Sequence, residues 1–366
     1  MTRLVDGTIE YMLQLDYIID SFSKTKVRKM KPFIRNLLRM SVYQIKYMDA
    51  VPDSAVCNEA VKLAKRHKFA QLSGFVNGVL RNIARNIDLV QFDTLSIRYS
   101  MPQWIVDRFV SEYGEKKAEE IFKAFHNKST ISIRTNLTRC TPDELRAKLE
   151  AEGVTVTAVD ELDYAFVISG FDYLNGLQSF RDGLFYVQDI SSMLVAQTAA
   201  PKKGDYVIDV CAAPGGKSTH IAELLQGSGH VLARDMTDNK VDMIEENIER
   251  HGLNNMSAEV WDATVPDADS AGKADILICD LPCSGLGVLG RKKDIRYKMT
   301  PAKQTEIIKL QRKILDTVWK YVKVGGTLIY STCTIGAEEN QYNVKWFLEN
   351  YPFVLESIDP YICDGL

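Results

Sequence analysis

The 366-residue sequence lacks the features that mark membrane, exported and zinc-finger proteins. No apolar run approaches the roughly 20 residues that a membrane-spanning helix needs. The N-terminus has no basic segment followed by an apolar one, so we expect no export signal. Seven cysteines are scattered without a Cys-x-x-Cys pair, which argues against a structural zinc site. We therefore expect a cytoplasmic protein of two or three domains, with no membrane partner and no metal.

The net charge of −3 is unevenly distributed along the chain. Residues 1–88 carry 15 Lys and Arg against 8 Asp and Glu, a balance of +7 that leaves −10 for the remainder. A basic N-terminal segment is compatible with a polyanionic partner such as RNA. Charge alone leaves open a second interpretation, in which these residues simply face water on a helical surface.

The first 165 residues show two patterns. Apolar residues recur at helical spacing through residues 1–88, which predicts an all-helical domain. One helix is predicted to start with Asp53 or Ser54 as its cap, and another with Ser100 as cap and Pro102 in the first turn. Residues 89–165 mix both periodicities, with a strand at 131–136 and a helix at 142–152, and predict a small α+β connector.

Beyond residue 166, strand-like apolar runs alternate with helical stretches. This alternation predicts an α/β domain with a mostly parallel sheet and helices on both faces. Strands are predicted at 206–210, 230–233, 258–261, 276–279 and 327–330, with a last one at 353–356. Helices are predicted near 216–226, 238–251, 302–323 and 337–350.

A glycine-rich loop follows the first of these strands, in Asp209-Val-Cys-Ala-Ala-Pro-Gly-Gly-Lys217. The glycines permit close approach of the backbone, and the helix that begins near Gly216 offers N–H groups to a carboxylate or phosphate. The loop has neither dinucleotide-binding nor Walker spacing, which disfavours a dinucleotide or a nucleoside triphosphate.

Three aspartates, Asp235, Asp262 and Asp280, follow the next strands in order. Because ligands bind at the carboxyl edge of such sheets, the ordered set indicates a ligand site. Any one of these aspartates is also explained as a helix cap or a surface turn.

Two cysteines stand in chemically distinctive settings. Cys283 lies in Asp280-Leu-Pro-Cys-Ser-Gly285, and Cys333 lies in Ser331-Thr-Cys-Thr334 at the end of a predicted strand. Together with the loop, the two thiols indicate covalent chemistry on a pyrimidine ring, with a cofactor that supplies a one-carbon group. The plain alternative for each is a small buried apolar residue.

These motifs resemble those of the RNA (cytosine-5) methyltransferases of the NOL1/NOP2/Sun type. The basic helical segment, with Gly74-Phe-Val-Asn-Gly-Val-Leu-Arg81, resembles the NusB-like domain that one bacterial subgroup carries. The resemblance implies a NusB-like domain at 1–88, the connector at 89–165 and a Rossmann-like class I methyltransferase domain at 166–366. It implies methyl transfer from S-adenosylmethionine to C5 of a cytosine in 16S ribosomal RNA, by a protein that we expect to be a monomer.

The resemblance also implies roles for individual residues. Cys333 would be the nucleophile that adds to C6 of cytosine, Cys283 would assist product release, and Asp280 would act as an acid near N3. The methionine carboxylate would lie near Gly216, the ribose at Asp235 and the adenine near Asp262. The implied cofactor-binding set is Cys211, Ala212, Ala213, Pro214, Gly215, Gly216, Lys217, Asp235, Asp262 and Asp280.

Two other functions remain open. An amino-group methyltransferase would need no thiol and usually has a polar-Pro-Pro-aromatic segment where this chain reads Asp280-Leu-Pro-Cys283. A non-catalytic, NusB-like RNA-binding or antitermination factor would keep the basic helical domain without turnover.

Two further expectations concern segments of the chain. The basic run 291–298 either grips RNA phosphates or is a solvated charged segment. Relative to the family, we expect helices to be missing before Thr2 and a final antiparallel strand to be missing after Leu366.

Overall fold

The computed structural model describes residues 2–127, 130–160 and 162–358. Its α-helices in this part of the chain are α1 Thr2–Glu10, α2 Met12–Phe22, α3 Pro32–Tyr47, α4 Asp53–Arg66, α5 Ser73–Asn86, α6 Leu95–Arg98, α7 Gln103–Tyr113, α8 Glu115–Ala124, α9 Pro142–Ala151, α10 Gln178–Arg181, α11 Ile190–Ala199, α12 Gly216–Leu224, α13 Asp238–His251, α14 Ile295–Lys298, α15 Pro301–Val318 and α16 Gln341–Asn350. Its strands are β1 Ile131–Thr135, β2 Thr155–Val159, β3 Leu162–Ser169, β4 Phe185–Val187, β5 Tyr206–Asp209, β6 His230–Asp235, β7 Met256–Val260, β8 Ala274–Asp280 and β9 Val322–Ser331. None of the helices in these ranges is long and apolar enough to cross a membrane.

The chain forms two compact units. The helical unit comprises residues 1–127 and 286–301, and the α/β unit comprises residues 128–285 and 302–366. The helical unit therefore includes residues 286–301, a segment from the second half of the chain. The division into three domains at 88/89 and 165/166 stays a prediction.

The helical unit is built as the apolar periodicity predicts. Residues 1–88 contain α1 to α5, and in α3 Ile34, Leu37, Leu38 and Val42 line one buried face. Full burial of such a side chain contributes about 1.5–3 kcal/mol. This core, joined by residues of α2, α4 and α5, stabilises the bundle. The prediction of an all-helical N-terminal segment is confirmed for the described residues.

Both predicted helix caps are wrong. The capping position of α4 is occupied by Pro52, and α7 begins at Gln103 after Pro102, with no side-chain cap in either case. Ser100 adopts a φ of +46°, and its hydroxyl accepts a hydrogen bond from the backbone N–H of Leu13 at 2.9 Å. Its side chain therefore connects the turn between α6 and α7 to α2, a tertiary role that local sequence does not reveal.

The basic run 291–298 belongs to the helical unit and is partly internal. Arg296 is fully buried and donates hydrogen bonds to the backbone carbonyls of Glu10, Ser100 and Leu289, at 3.1–3.4 Å. Lys293 forms an ion pair of 2.5 Å with the Glu10 carboxylate. Both interpretations of the run, phosphate grip and solvated segment, are therefore wrong for Arg296, because its charge satisfies buried carbonyl groups instead.

The described residues of the α/β unit form two sheets. An antiparallel four-stranded sheet has the order β2-β3-β1-β4, and a parallel five-stranded sheet has the order β7-β6-β5-β8-β9. The five strands predicted between 206 and 330 are confirmed. Because the chain runs outward from β5 to β7 on one side and returns to β8 on the other, the carboxyl ends of β5 and β8 form a crevice where ligands bind in such folds.

The predicted strand at 353–356 is wrong, since this segment forms no strand. The Phe353 ring instead packs against that of Phe347 on α16, with ring centroids 5.1 Å apart. The apolar residue thus covers the end of a helix rather than pairing with the sheet. Residues 359–366 lie outside the described residues.

Candidate active site

The glycine-rich loop leaves the carboxyl end of β5 and enters α12 at Gly216. Gly215 has a φ of +102°, which disfavours any residue with a side chain. A Cβ added at Gly216 would lie 3.0 Å from the ring of Tyr186 on β4, closer than ordinary packing allows. The backbone conformation therefore favours glycine at 215, and the nearness of the Tyr186 ring favours it at 216, where the first turn of α12 begins.

The Asp209 side chain stabilises this loop through hydrogen bonds. Its carboxylate accepts hydrogen bonds from the Ser218 hydroxyl at 2.5 Å and from the Cys211 backbone N–H at 3.3 Å. Burial and the negative charge of Asp280 raise its pKa to about 7. Among the site residues predicted from sequence, Asp209 appeared only as the end of a strand, and its burial is what reveals the supporting role.

Lys217 and Asp280 form an ion pair across the crevice. The Lys217 Nζ lies 2.6 Å from Asp280 Oδ2, and the Ser331 hydroxyl donates to Asp280 Oδ1 at 2.9 Å. The side chains are 16% and 31% exposed, so a ligand can still reach them. The pair joins the first turn of α12 to the ends of β8 and β9.

Asp235, at the end of β6, is almost fully buried against the loop. Its carboxylate accepts hydrogen bonds from the backbone N–H groups of Ala213 at 3.0 Å and Met236 at 2.8 Å, and from Lys240 Nζ at 2.8 Å. The Met236 side chain beside it is 61% exposed and offers an apolar surface. The structure thus brings Asp235 and the loop together.

Asp262 forms its hydrogen bond within its own segment rather than with the loop. It follows β7, is exposed, and accepts a hydrogen bond from the backbone N–H of Thr264 at 2.8 Å, which lowers its pKa. This bond lies within its own turn, so Asp262 acts there as a turn residue.

Cys211 and Ala212 contribute to the loop through their backbones. Ala212 N–H donates to the Arg234 carbonyl on β6 at 2.8 Å, and Cys211 N–H donates to the Asp209 carboxylate at 3.3 Å. Burial, followed by the nearby Asp209 charge, raises the pKa of the Cys211 thiol. Its thiol is therefore suited to packing rather than to nucleophilic attack.

Cys283 and Cys333 meet at the ends of β8 and β9. Their Sγ atoms are 3.1 Å apart, and the backbone N–H of Cys333 donates to Cys283 Sγ at 3.2 Å. Cys333 is exposed, whereas Cys283 is half-buried. The hydrogen bond between the side chains, together with burial, raises the pKa of Cys283. One thiol is thus accessible to a substrate and the other is held protonated beside it.

A buried polar network supports the two cysteine segments, and the sequence analysis missed it. Its centre is Glu339, in the turn before α16, whose carboxylate accepts hydrogen bonds from Gln304, Gln311 and the backbone of Ser284. The sequence does contain an indication of this network. Gln304 and Gln311 are seven residues apart, on the same helical face as buried Ile314 and Leu315.

The chain also matches known protein families along its length. Residues 196–359 match the family model described as 16S rRNA methyltransferase RsmB/F. Residues 1–85 match the NusB family, and residues 101–171 match the RsmF/B-like ferredoxin-like domain.

Named relatives extend over almost the whole chain. It is 36% identical over 384 residues to "Probable ribosomal RNA small subunit methyltransferase B" of Bacillus subtilis, covering 100% of this chain and 85% of the relative. It is 31% identical over 353 residues to "Ribosomal RNA small subunit methyltransferase B" of Proteus mirabilis, covering 96% and 83%. The chain belongs to the ribosomal RNA small subunit methyltransferase B family. The crystal structure of the protein PH0851 matches with a TM-score of 0.83 and 26% identity, over 96% of this chain and 81% of that one.

The protein therefore belongs to a family of 16S rRNA methyltransferases. Its α/β unit has the Rossmann-like fold. The residues at the crevice fit the cofactor S-adenosylmethionine in their chemistry. The first-turn N–H groups of α12 suit a carboxylate, and exposed Met236 suits an apolar ring. The Asp235 carboxylate has the chemistry to accept from hydroxyl groups, although its oxygens already accept hydrogen bonds from Ala213, Met236 and Lys240. The described residues contain no group of three or more His, Cys, Asp or Glu side chains arranged to hold a metal ion.

Proposed function

We propose that this protein transfers the methyl group of S-adenosylmethionine to C5 of a cytosine in 16S ribosomal RNA, through a covalent bond between Cys333 and C6. One observation carries the proposal: two cysteines 3.1 Å apart lie at the ends of β8 and β9, beside the Lys217–Asp280 pair. An amino-group methyltransferase has no need of paired thiols.

Cofactor binding is assigned to the loop and the acids around it. The methionine carboxylate would be bound by the N–H groups near Gly216, the ribose hydroxyls by Asp235, and the adenine at the edge that includes Met236 and Asp262. The full set of residues proposed to bind S-adenosylmethionine is 211–217 together with Asp235, Asp262 and Asp280. When bound, S-adenosylmethionine supplies a sulfonium methyl group, which an enamine-like C5 accepts.

Cys333 supplies the nucleophile because C5 of cytosine is a weak nucleophile within the aromatic ring. Its thiolate forms a bond to C6, the ring loses its aromaticity, and N3 takes up a proton. Asp280 is proposed to deliver that proton. Since each oxygen of Asp280 already accepts a hydrogen bond, from Ser331 or Lys217, the proton comes from the Lys217 ammonium group, which transfers it through Asp280 and becomes neutral.

Cys283 is proposed to act in the release step. After methylation, a base removes the proton from C5, the C6–S bond breaks, Cys333 leaves as a thiolate, and the N3 proton returns to the Lys217–Asp280 pair. When Cys333 is bonded to C6, its thiol no longer shares a hydrogen bond with Cys283, so the largest cause of the raised Cys283 pKa is removed. Cys283 then loses its proton to water more readily, and its thiolate accepts the C5 proton directly or through a water that it orients.

The proposed partner is ribosomal RNA in the cytoplasm, bound by a monomer. Residues 1–88 hold 15 basic and 8 acidic residues, and this basic excess supports RNA contact by the NusB-like segment. The unbridged cysteines suit a reducing compartment.

The decisive experiment uses unmodified 16S rRNA and S-adenosylmethionine with a labelled methyl group. Digestion to nucleosides should place the label on C5 of cytidine. Label on the exocyclic N4 amine would overturn the mechanism in favour of an amino-group methyltransferase. Cofactor and RNA binding without transfer would favour a non-catalytic RNA-binding factor.

A further inference from the structure

Glu339 is a fully buried carboxylate that lies under both cysteine segments. Its Oε1 accepts a hydrogen bond from Gln304 Nε2 at 2.8 Å. Its Oε2 accepts one from the Ser284 backbone N–H at 2.8 Å and another from Gln311 Nε2 at 3.1 Å. A buried acceptor with three donors fixes the position of each donor, because an unmade bond at such a site is costly.

The backbone is held on both sides of Cys283. The Gln311 Nε2 that donates to Glu339 also donates to the Pro282 carbonyl at 2.9 Å. Glu339 itself holds the Ser284 N–H. With its two neighbours bonded to one Gln311–Glu339 pair, Cys283 has its backbone fixed, and this sets the point from which its side chain extends.

The same residue is connected to the Cys333 segment. The Tyr330 hydroxyl, near the end of β9, donates to the Glu339 carbonyl at 2.5 Å. The Ser284 hydroxyl lies 3.1 Å from the Thr334 hydroxyl, beside Cys333. Glu339 therefore joins the two segments whose relative position sets the distance between the two sulfurs.

We propose that Glu339 is a positioning residue for Cys283 in the release step, acting through the Ser284 backbone and Gln311 without contact with the substrate. This inference rests on the proposed covalent mechanism. A misplaced Cys283 impairs removal of the C5 proton but leaves Cys333 able to add to C6. Loss of Glu339 should therefore trap enzyme on RNA, which a merely structural role would not do.

The test compares Glu339→Met with Glu339→Gln in the full-length protein. Methionine has similar length but accepts none of the three hydrogen bonds. Glutamine keeps an oxygen for Ser284 N–H and Gln311, and the amide of Gln304 can flip to accept from its NH₂ group. We measure turnover and the fraction of protein bound covalently to 16S rRNA in a denaturing gel. Glu349→Met, an exposed position on α16, is the matched control.

Glu339→Met should lower turnover roughly tenfold to a hundredfold, the size expected for misplacement of a reacting group, and raise the covalent fraction severalfold. Glu339→Gln should restore most of both values, and Glu349→Met should match the unmodified protein. A fall in turnover without an increase in the covalent fraction would overturn the inference. If Glu339→Met does not fold, as judged by its thermal unfolding, Gln311→Met decides in the same way, since it removes the bonds to Pro282 and Glu339.

Cys283→Ala, measured in the same assays, distinguishes failure of the positioning role from failure of the covalent mechanism. If Cys283→Ala traps an adduct and neither Glu339→Met nor Gln311→Met does, the positioning role fails and the covalent mechanism stands. If no variant forms an adduct, the covalent mechanism fails, and the positioning role fails with it.

Discussion

Cys283 Sγ lies 3.1 Å from Cys333 Sγ, although the residues are 50 positions apart in the chain. The parallel pairing of β8 with β9 accounts for this proximity, because its register places Asp280 opposite Ser331. Cys283 is three residues beyond Asp280, and Cys333 two beyond Ser331. A disulfide bond is about 2.05 Å long, so the two thiols are in contact without being bridged.

This relationship predicts opposite phenotypes for the two cysteines. Cys333→Ala should abolish turnover and form no RNA adduct, since it removes the nucleophile. Cys283→Ala should lower turnover and accumulate an adduct that survives denaturation, because addition proceeds and release does not. Radiolabelled RNA on a denaturing gel, beside a methyl-transfer assay, measures both.

Cys140→Ala serves as the control for these cysteine variants. Cys140 is buried in the core of the antiparallel sheet, and burial raises the pKa of its thiol. This variant should keep its activity. Full turnover by Cys333→Ala would refute the assignment of the nucleophile.

Lys217→Met should weaken binding of S-adenosylmethionine about tenfold, equivalent to about 1.4 kcal/mol. The variant removes the ion pair that joins the first turn of α12 to Asp280, and it leaves the Asp280 charge without a partner. Isothermal titration calorimetry measures the change directly. Lys345→Met, at an exposed position on α16, should bind like the unmodified protein. Unchanged affinity in Lys217→Met would remove this residue from the cofactor site.

The buried Asp209 predicts a particular pH dependence of stability. Its pKa rises from an ordinary 3.8 to about 7 in the folded protein, chiefly through burial. Between these values the unfolded state ionises first, so the free energy of unfolding falls as pH rises, by up to about 1.4 kcal/mol per pH unit. The contribution is fully present below about pH 4 and lost by about pH 7.

Asp209→Asn should remove this dependence, because an amide does not titrate there. Denaturation followed by tryptophan fluorescence reports mainly the α/β unit, which holds Trp261, Trp319 and Trp346. The difference in stability between Asp209→Asn and the unmodified protein should change between pH 4.5 and 7, in favour of the variant as pH rises. Asp172→Asn, at an exposed position, should leave the profile unchanged. A parallel profile for Asp209→Asn would contradict the raised pKa.

Two basic side chains of the run 291–298, Arg296 and Lys292, should respond differently to substitution. Arg296→Met should destabilise this unit by about 2–4 kcal/mol, because three buried carbonyl groups lose a charged donor. Hydrogen exchange of α1 and α14 should become faster. The dependence of RNA affinity on salt should stay as it was.

Lys292→Met should behave in the opposite way, since Lys292 is exposed. If it contacts a phosphate, its loss reduces the slope of log affinity against log salt by roughly 0.7–0.9, with stability unchanged. A reduced slope for Arg296→Met at unchanged stability would show that Arg296 is available to RNA after all.

The sequence by itself determined the class of the α/β unit and the identity of the chemically distinctive residues. The alternation of apolar runs located the five parallel strands, because periodicity in a strand or helix follows from local backbone geometry. The glycine loop, the ordered acids and the two cysteine motifs were recognisable for the same reason: residue type and close spacing carry their meaning.

The tertiary structure decided what those side chains contact. The register of β8 and β9 set the distance between two sulfurs, and burial made Asp209 and Glu339 supports of the site. Ser100 bonds to a neighbouring helix instead of capping its own, and Arg296 satisfies buried carbonyls instead of facing solvent. Such contacts join residues far apart in the chain, so they depend on packing and strand register, which local periodicity does not encode.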